Sequence, residues 1–550
     1  MKKRILTAAA LGLAAAFAIS GCSAAGPNSG GGASHVLTIG MPNGTQTDNS
    51  NPFVNTSSAM SLGYAFAIYE PLVQVNPTNP SIEPKPWLAS DYSWNDDYTA
   101  VTFTARDNVK WSDGEDFTAK DIAFTFNLLK DNPATNLNAL PFGDIETDGD
   151  KVTVNFESGQ FTNQYKALNL FVVPEHIWSK VSDVTTDLNK KPVGTGPYVL
   201  KSWTPQAATL TARTDYWGGT PAVPELRYSS YTDNNALTTA LATGEVQWGW
   251  TFIADIDNVY VSKDAENNKF YAPAGLGADV LFLNTETKPF NDVAVRKALN
   301  LVVDRKVIQQ QATAGVFPAL ENVTGMPTPA GDKYLASEYK DKTYKVDLDA
   351  AKAVLADAGY TLDGDVLKDP SGEAVTFTLT NPAGWNDYLT ELQIVADAAK
   401  DLGITATVDA ANQDAWFTAI AAGDFQASMH WTDSGPTPWD MYADVIDGAQ
   451  VVPLGEKANW NFGRYNNDEA TDALKTFRTT TDEDERQAAI EKVQKIVVDD
   501  VPALFIVTRP AAAEYSTKYY VGWPDEKNPY NQPQPTGPQA SQILMSLKAK

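Results

Sequence analysis

"VKWSDGEDFTAKDIAFTF" runs from Val109 to Phe126 and changes its period half-way. Ser112-Asp113-Gly114 is turn chemistry: short polar side chains that bond to nearby backbone, then a residue free to take a positive φ. Thr118 precedes Asp121 by three residues, an acidic variant of the capping box. Ile122, Phe126 and Leu129 then follow at helical spacing. Upstream, "YTAVTFTAR" from Tyr98 to Arg106 alternates as a strand does. The local order is strand, turn, helix.

The second half continues this alternation. "NDVAVRKALNLVVDRKVI" from Asn291 predicts an amphipathic helix capped by that Asn. "VDLDAAKAVLADAGY" and "DYLTELQIVADAAKDLGI" predict two more, closed by Gly359 and Gly403, the latter followed by a strand "ITATVDA". "DEDERQAAIEKVQKIVVDDVPALFIV" reads as a helix stopped near Pro502 and then a buried strand. Val36 to Gly40 is a first strand. Helices alternating with short strands make the fold class α/β. In "DIETDGDKVTVNFES", Asp144, Glu146, Asp148 and Gly149 match the opening of a calcium loop, but the twelfth position is Asn155 instead of Glu. The stretch therefore reads as a hairpin turn.

The N-terminus carries Lys2, Lys3 and Arg4, then an almost wholly apolar run from Ile5 to Ile19. That run is shorter than the ~20 residues a membrane span needs, and it reads as an export signal. Ile19-Ser20-Gly21-Cys22 resembles the bacterial lipobox. Cys22 is the chain's single cysteine, so it has no disulfide partner within the chain. On this reading residues 1–21 are a signal peptide and 22–35 a lipidated cysteine with a flexible Gly/Ser/Ala tether. The expected location is extracytoplasmic, with the lipid on Cys22 holding the protein to the membrane.

The net charge is −26, and the signal would remove three bases and no acids. An acidic chain argues against nucleic-acid binding and against electrostatic docking on anionic lipid. The three histidines, His35, His176 and His430, lie at no metal-ligand spacing. Neither a P-loop nor a Gly-x-Ser-x-Gly elbow occurs. No enzyme activity, metal or cofactor is expected. The excess is aromatic, with 14 Trp, 22 Tyr and 22 Phe, several of them in loop-like surroundings rich in Gly, Pro and Asn.

Four collinear blocks carry a resemblance: "VKWSDGEDFTAKDIAFTF", "GTGPYVL" (Gly194 to Leu200), "FLNTETKPFNDVAVRKALNLVVDR" (Phe282 to Arg305) and "RYNNDEATDAL" (Arg464 to Leu474). The chain resembles the extracellular solute-binding proteins, family 5, of ABC importers. The resemblance implies a two-lobed periplasmic-binding-protein-like fold with an extra inserted domain. Lobe I is expected at 36–75, 190–283 and 504–550, the inserted domain at 76–189, and lobe II at 284–503. The hinge is expected near Gly277–Asn284 and Ala503–Arg509. A monomer would close over a ligand and present it to ABC permease subunits.

Peptide-binding members typically place an Asp a few residues after a Trp to neutralise the peptide amine. Here "MHWTDSGPTPWDMY" offers Trp431, with Asp433 one residue early. That stretch, the tail "YVGWPDEKNPYNQP" and "GEVQWGWTFIAD" look closer to cello-oligosaccharide and β-glucoside binders. Sugar faces lie flat on indoles, and their hydroxyls want amides and carboxylates. The expected ligand contacts are Trp248, Trp250, Trp385, Trp431, Trp439 and Trp460, with Asn43, Asn386, Asp387 and Asp433. Of Trp248 and Trp250, which alternate, at most one faces a cleft. Trp87, Trp94 and Trp111 are expected in packing. An oligosaccharide is favoured, with an oligopeptide or a metal chelate as alternatives, and a surface receptor without transport more remote.

Overall fold

The computed structural model describes residues 35–550. The expected signal peptide, Cys22 and nearly all of the tether fall outside them. Three sheets organise the described chain. A seven-stranded mixed sheet has the order Asn268–Tyr271, Ala513–Ser516, Trp248–Gly249, Leu37–Met41, Glu225–Ser230, Ala207–Ala212 and Tyr198–Thr204. A five-stranded sheet has the order Thr405–Ala411, Thr376–Pro382, Ala427–Trp431, Ala278–Leu283 and Ala503–Thr508. An antiparallel four-stranded sheet lies between the first and second strands of the large one in sequence: Ala89–Trp94, Ala100–Ala105, Lys151–Phe156 and Phe142–Asp148. Two lobes and an inserted domain follow from this order.

The opening motif forms as its chemistry dictates. Gly114 takes φ +97°, a conformation that suits glycine. Thr118 caps the helix Ala119–Asp131, and Asp121 returns a bond to the cap, completing the box. Ile122, Phe126 and Leu129 are buried, and Phe126 stacks on Phe103 of the sheet at 5.9 Å. The acidic stretch after Phe142 is a hairpin that turns at Gly149.

Two of the sequence blocks meet at one guanidinium. Buried Arg213 donates to the carbonyls of Gly194 and Thr195 at 3.3 and 3.1 Å, and to those of Lys110 and Trp111 at 3.1 and 3.4 Å. Gly194 passes so close to Ile68 that a Cβ would lie 1.9 Å from its carbonyl oxygen. These blocks therefore join the inserted domain to lobe I. Trp87 and Trp111 are buried there, and the Trp87 indole donates to buried Glu70 at 2.7 Å.

The helix expected from Asn291 is two helices. Asp292, not Asn291, caps Val293–Val302, and Asp304 caps a second helix, Arg305–Gln311. Asp304 accepts from two backbone amides, so the polar residue that interrupts the pattern starts a new helix instead of continuing the old one. The other expected helices are Leu348–Asp357, Asn386–Lys400 and Glu483–Asp500. The last ends before Pro502, and the strand Ala503–Thr508 follows, buried along nearly its whole length.

The chain crosses between the large sheet and the five-stranded sheet twice, at 272–277 and 509–512, so 278–283 and 504–508, expected in lobe I and at the hinge, are strands of the lobe II sheet instead. The Arg509 amide donates to the Gly277 carbonyl at 2.9 Å, which ties the two crossings together. The lobes are closed on each other. Thr162 donates to the Phe477 carbonyl at 2.9 Å, and Asn234 to Asp387 at 3.0 Å.

Candidate functional site

Where the crossings meet, side chains from both lobes converge. Trp250 follows the short strand Trp248–Gly249 of lobe I, and Trp431 ends the strand Ala427–Trp431 of lobe II. The Arg509 guanidinium lies between them, 5.8 Å from the Trp250 ring and 5.2 Å from the Trp431 ring. Trp385, at the start of the helix Asn386–Lys400, stands 5.9 Å from Trp431. Trp385 and Trp431 are half-buried, and Trp250 nearly fully buried.

The charge of Arg509 is matched from below. It donates to Asp279 at 3.0 Å and to the Tyr388 hydroxyl at 2.7 Å, while Tyr388 donates to Asp279 at 2.6 Å. Asp279 is wholly buried; burial pushes its carboxyl up, and Arg509 and Tyr388 pull it back. Asp387 and Glu391 sit one helical turn apart beside this pair. Burial raises both, with Asp279 adding its repulsion, and Glu391 is raised well above the carboxylate range. Arg509 and Asp279 are a pair of opposite charges in direct contact. The floor of the cleft is largely aromatic, with one guanidinium set among three buried carboxyls. His430, stacked on Trp431 at 4.0 Å, is held by burial to about 3 and stays uncharged.

A second cluster is built on the stretch from Asp433 to Asp444, which includes the start of the helix Trp439–Ile446. Lys166 of the inserted domain reaches Asp440 at 2.8 Å, and both side chains are buried. Tyr165 donates to the same carboxylate oxygen at 2.6 Å. The Asp433 amide donates to the Asp444 carboxylate at 2.7 Å. Burial pushes Asp433 up to about 6 and Asp444 well above its ordinary value; Lys166 opposes both shifts.

The expected contacts thus divide. The structure brings together Trp250, Trp385, Trp431 and Asp387, with half-buried Asn386 beside them on the same helix end. Trp460 is linked to that group through His430, whose ring is 5.7 Å away. Trp248 and Trp439 are corrected to core residues. Trp248 is fully buried and donates its N–H to Pro533 O at 2.8 Å; Trp439 donates to Leu474 O at 2.9 Å. Indoles so enclosed and so bonded present no face to a ligand. The tryptophan of the tail, Trp523, likewise packs against Trp248 and Tyr515 within lobe I. Asn43 donates its amide to Ser61 O at 2.7 Å, also within lobe I. Asp433 is half-buried beside the second cluster. Among the described residues, no group of three or more His, Cys, Asp or Glu side chains is arranged to hold a metal ion.

Sequence reasoning missed Arg509, Asp279, Tyr388, Glu391, Lys166 and Asp440. Asp279 had a signal: it is the lone acid in the otherwise apolar strand "ADVLFL", all of it buried.

The model for bacterial extracellular solute-binding proteins, family 5 middle, matches residues 83–450. The chain belongs to that family. It is a family 5 solute-binding protein of the ABC-importer type, and its relatives are binding proteins. The oligopeptide-binding protein AppA of Bacillus subtilis is 26% identical over 456 residues, which cover 78% of this chain and 79% of AppA. A crystal structure of a periplasmic oligopeptide-binding protein from Thermotoga maritima with mannohexaose bound has a TM-score of 0.84 at 24% identity, covering 94% of this chain and 98% of that one. AppA in complex with a nonapeptide has a TM-score of 0.79 at 21% identity, covering 94% of this chain and 99% of its own. One fold therefore holds a sugar chain in one protein and a peptide in another. No described helix is long and apolar enough to cross a membrane.

Proposed function

We propose that this family 5 protein captures a short, uncharged oligosaccharide and delivers it to the membrane subunits of an ABC importer. The arrangement of Trp250, Trp385 and Trp431 around an Arg509 already neutralised by Asp279 carries this reading. Half-buried Trp385 and Trp431 offer flat apolar faces there. A neutral ring with C–H groups on its faces and hydroxyls on its edges suits them. Lys166 also supplies a cation to the acids near Asp433, where a peptide amine would otherwise be needed.

One observation favours an oligopeptide. A carboxyl pushed up to about 6 is mostly ionised at neutral pH, so Asp433 keeps a charge that an ammonium could meet. Thermal-shift and calorimetric titration of the purified protein with β-linked glucans, mannooligosaccharides and di- to pentapeptides separates the two. Trp431→Ala should weaken a saccharide by about 1–3 kcal/mol, the range for losing a buried aromatic contact. Asp433→Asn should cost a saccharide about 1 kcal/mol, one hydrogen bond, but cripple a peptide whose amine is left unpaired. Peptide binding without glycan binding, abolished by Asp433→Asn, would reject the saccharide reading.

The same proposal takes Cys22 as the lipidated residue that keeps the protein on the outer face of the membrane. Cys22→Ala should leave the protein unprocessed or free in the medium, with ligand affinity unchanged. A processed Cys22→Ala chain that stays membrane-bound would show the anchor to be elsewhere.

A further inference from the structure

Of the chain's three histidines only His430 is buried. It lies in the strand Ala427–Trp431, inside an aromatic cage. Trp416 stacks on it at 5.5 Å with 17° between the planes, and Trp431 at 4.0 Å with 23°. Trp460 meets it edge-on at 5.7 Å, and Phe462 lies at 4.8 Å. Nothing in such a cage calls for an imidazole, because a phenyl ring would fill it and bury more apolar surface. What the imidazole adds is one N–H. Its Nδ1 lies 2.7 Å from the Trp431 carbonyl oxygen. A carbonyl only accepts, so Nδ1 carries the proton. Burial holds the ring to about 3, so it stays neutral, and its single N–H is committed to that carbonyl.

Successive side chains of a strand point to opposite faces, so neighbours such as His430 and Trp431 do not ordinarily stack. Here the strand ends at Trp431, and the two rings lie together at that end. The hydrogen bond fixes the peptide unit that follows Trp431, and the stack fixes its indole. An indole has two faces. With one against His430, Trp431 has one left for the cleft, where the Arg509 guanidinium is 5.2 Å and Trp385 5.9 Å from the ring. We propose that His430 is a positioning residue of the solute site: its Nδ1–H bond to the Trp431 carbonyl and its stack on the Trp431 indole set the angle at which that indole meets the solute. This rests on the reading of Trp431 as a solute contact.

Nitrogen-15 NMR of the histidine-labelled protein reads the bond without any ligand. The resonance lost in His430→Asn should be the Nδ1–H tautomer, unchanged between about pH 5 and 8. The Nε2–H tautomer overturns the proposal, whether or not any variant folds. Calorimetric titration with cellohexaose, mannohexaose and pentaalanine reads the positioning. His430→Phe keeps a ring in the stack and loses the N–H. It should keep the parent's melting temperature and bind whichever probe the parent binds about tenfold more weakly. His430→Phe/Trp431→Ala should bind within about twofold of Trp431→Ala alone, because His430 acts through that indole. A His430→Phe protein that binds as the parent does overturns the proposal, as does a loss that adds in full to that of Trp431→Ala. If His430→Phe does not fold, His430→Asn replaces it in the same cycle. If Trp431→Ala itself binds as the parent does, the reading of Trp431 as a solute contact falls and takes the positioning role with it, while the tautomer still reports the bond. A parent that binds none of the three probes removes both.

Discussion

Lys166→Met should weaken ligand binding more than a hundredfold while leaving the ligand-free protein nearly as stable as the parent. Lys166 and Asp440 come from different bodies and meet in a buried ion pair. Removing one member of such a pair strands the other, at a cost of about 3–5 kcal/mol. Here that cost falls on the closed state, because water reaches Asp440 once the lobes part. A penalty confined to the closed form appears as lost affinity, tenfold for each 1.4 kcal/mol. Lys166→Met/Asp440→Asn should recover most of the loss. Calorimetric affinity within threefold of the parent for Lys166→Met would show that the pair does not hold the lobes together.

The same cluster sets a pH dependence. Burial raises Asp433 to about 6, so between the ordinary carboxylate range near 4 and about 6 the closed protein holds a proton that a solvated Asp releases. The group's unfavourable contribution is absent below that window and fully present above it. Affinity should therefore fall as pH rises from about 4 to about 6, and Asp433→Asn should reduce that slope.

Arg509→Met should lower the unfolding free energy by about 3–5 kcal/mol, measured by chemical denaturation without ligand. Asp279 is wholly buried, and its partners are Arg509 and Tyr388. Without the guanidinium, Asp279 is left beside Asp387 and Glu391, with Tyr388 as its remaining donor. The double variant Arg509→Met/Asp279→Asn should be more stable than Arg509→Met, because it removes the charge along with its partner. A single variant within 1 kcal/mol of the parent would show that the pair is not needed to satisfy Asp279.

The fold was largely readable because its signals are local. The box at Thr118, the stops at Gly359 and Gly403 and the alternation of "TAVTFTA" each depend on residues within one turn or strand. The split at Asp304 escaped because an apolar stripe runs through both helices, and a cap residue inside such a stripe looks like a polar position on its outer face. The site was readable in part. Trp431 and Trp385 stand at element ends, where a ring can face open space. Trp439 stands in similar sequence, yet it is folded inward to bond Leu474 O, a partner 35 residues away that no local pattern names. Lys166 met Asp440 across a sequence gap of 274 residues, and nothing near either residue marks the pairing. Asp279 alone carried a legible anomaly.

Arg509 sits on the axle. Its backbone pins one chain crossing to the other, and its side chain carries the one guanidinium packed between Trp250 and Trp431. Points on an axis of rotation travel least when the bodies swing. A solute resting on Arg509 thus keeps its place while Trp250 and Trp431, one on each lobe, part or come together around it.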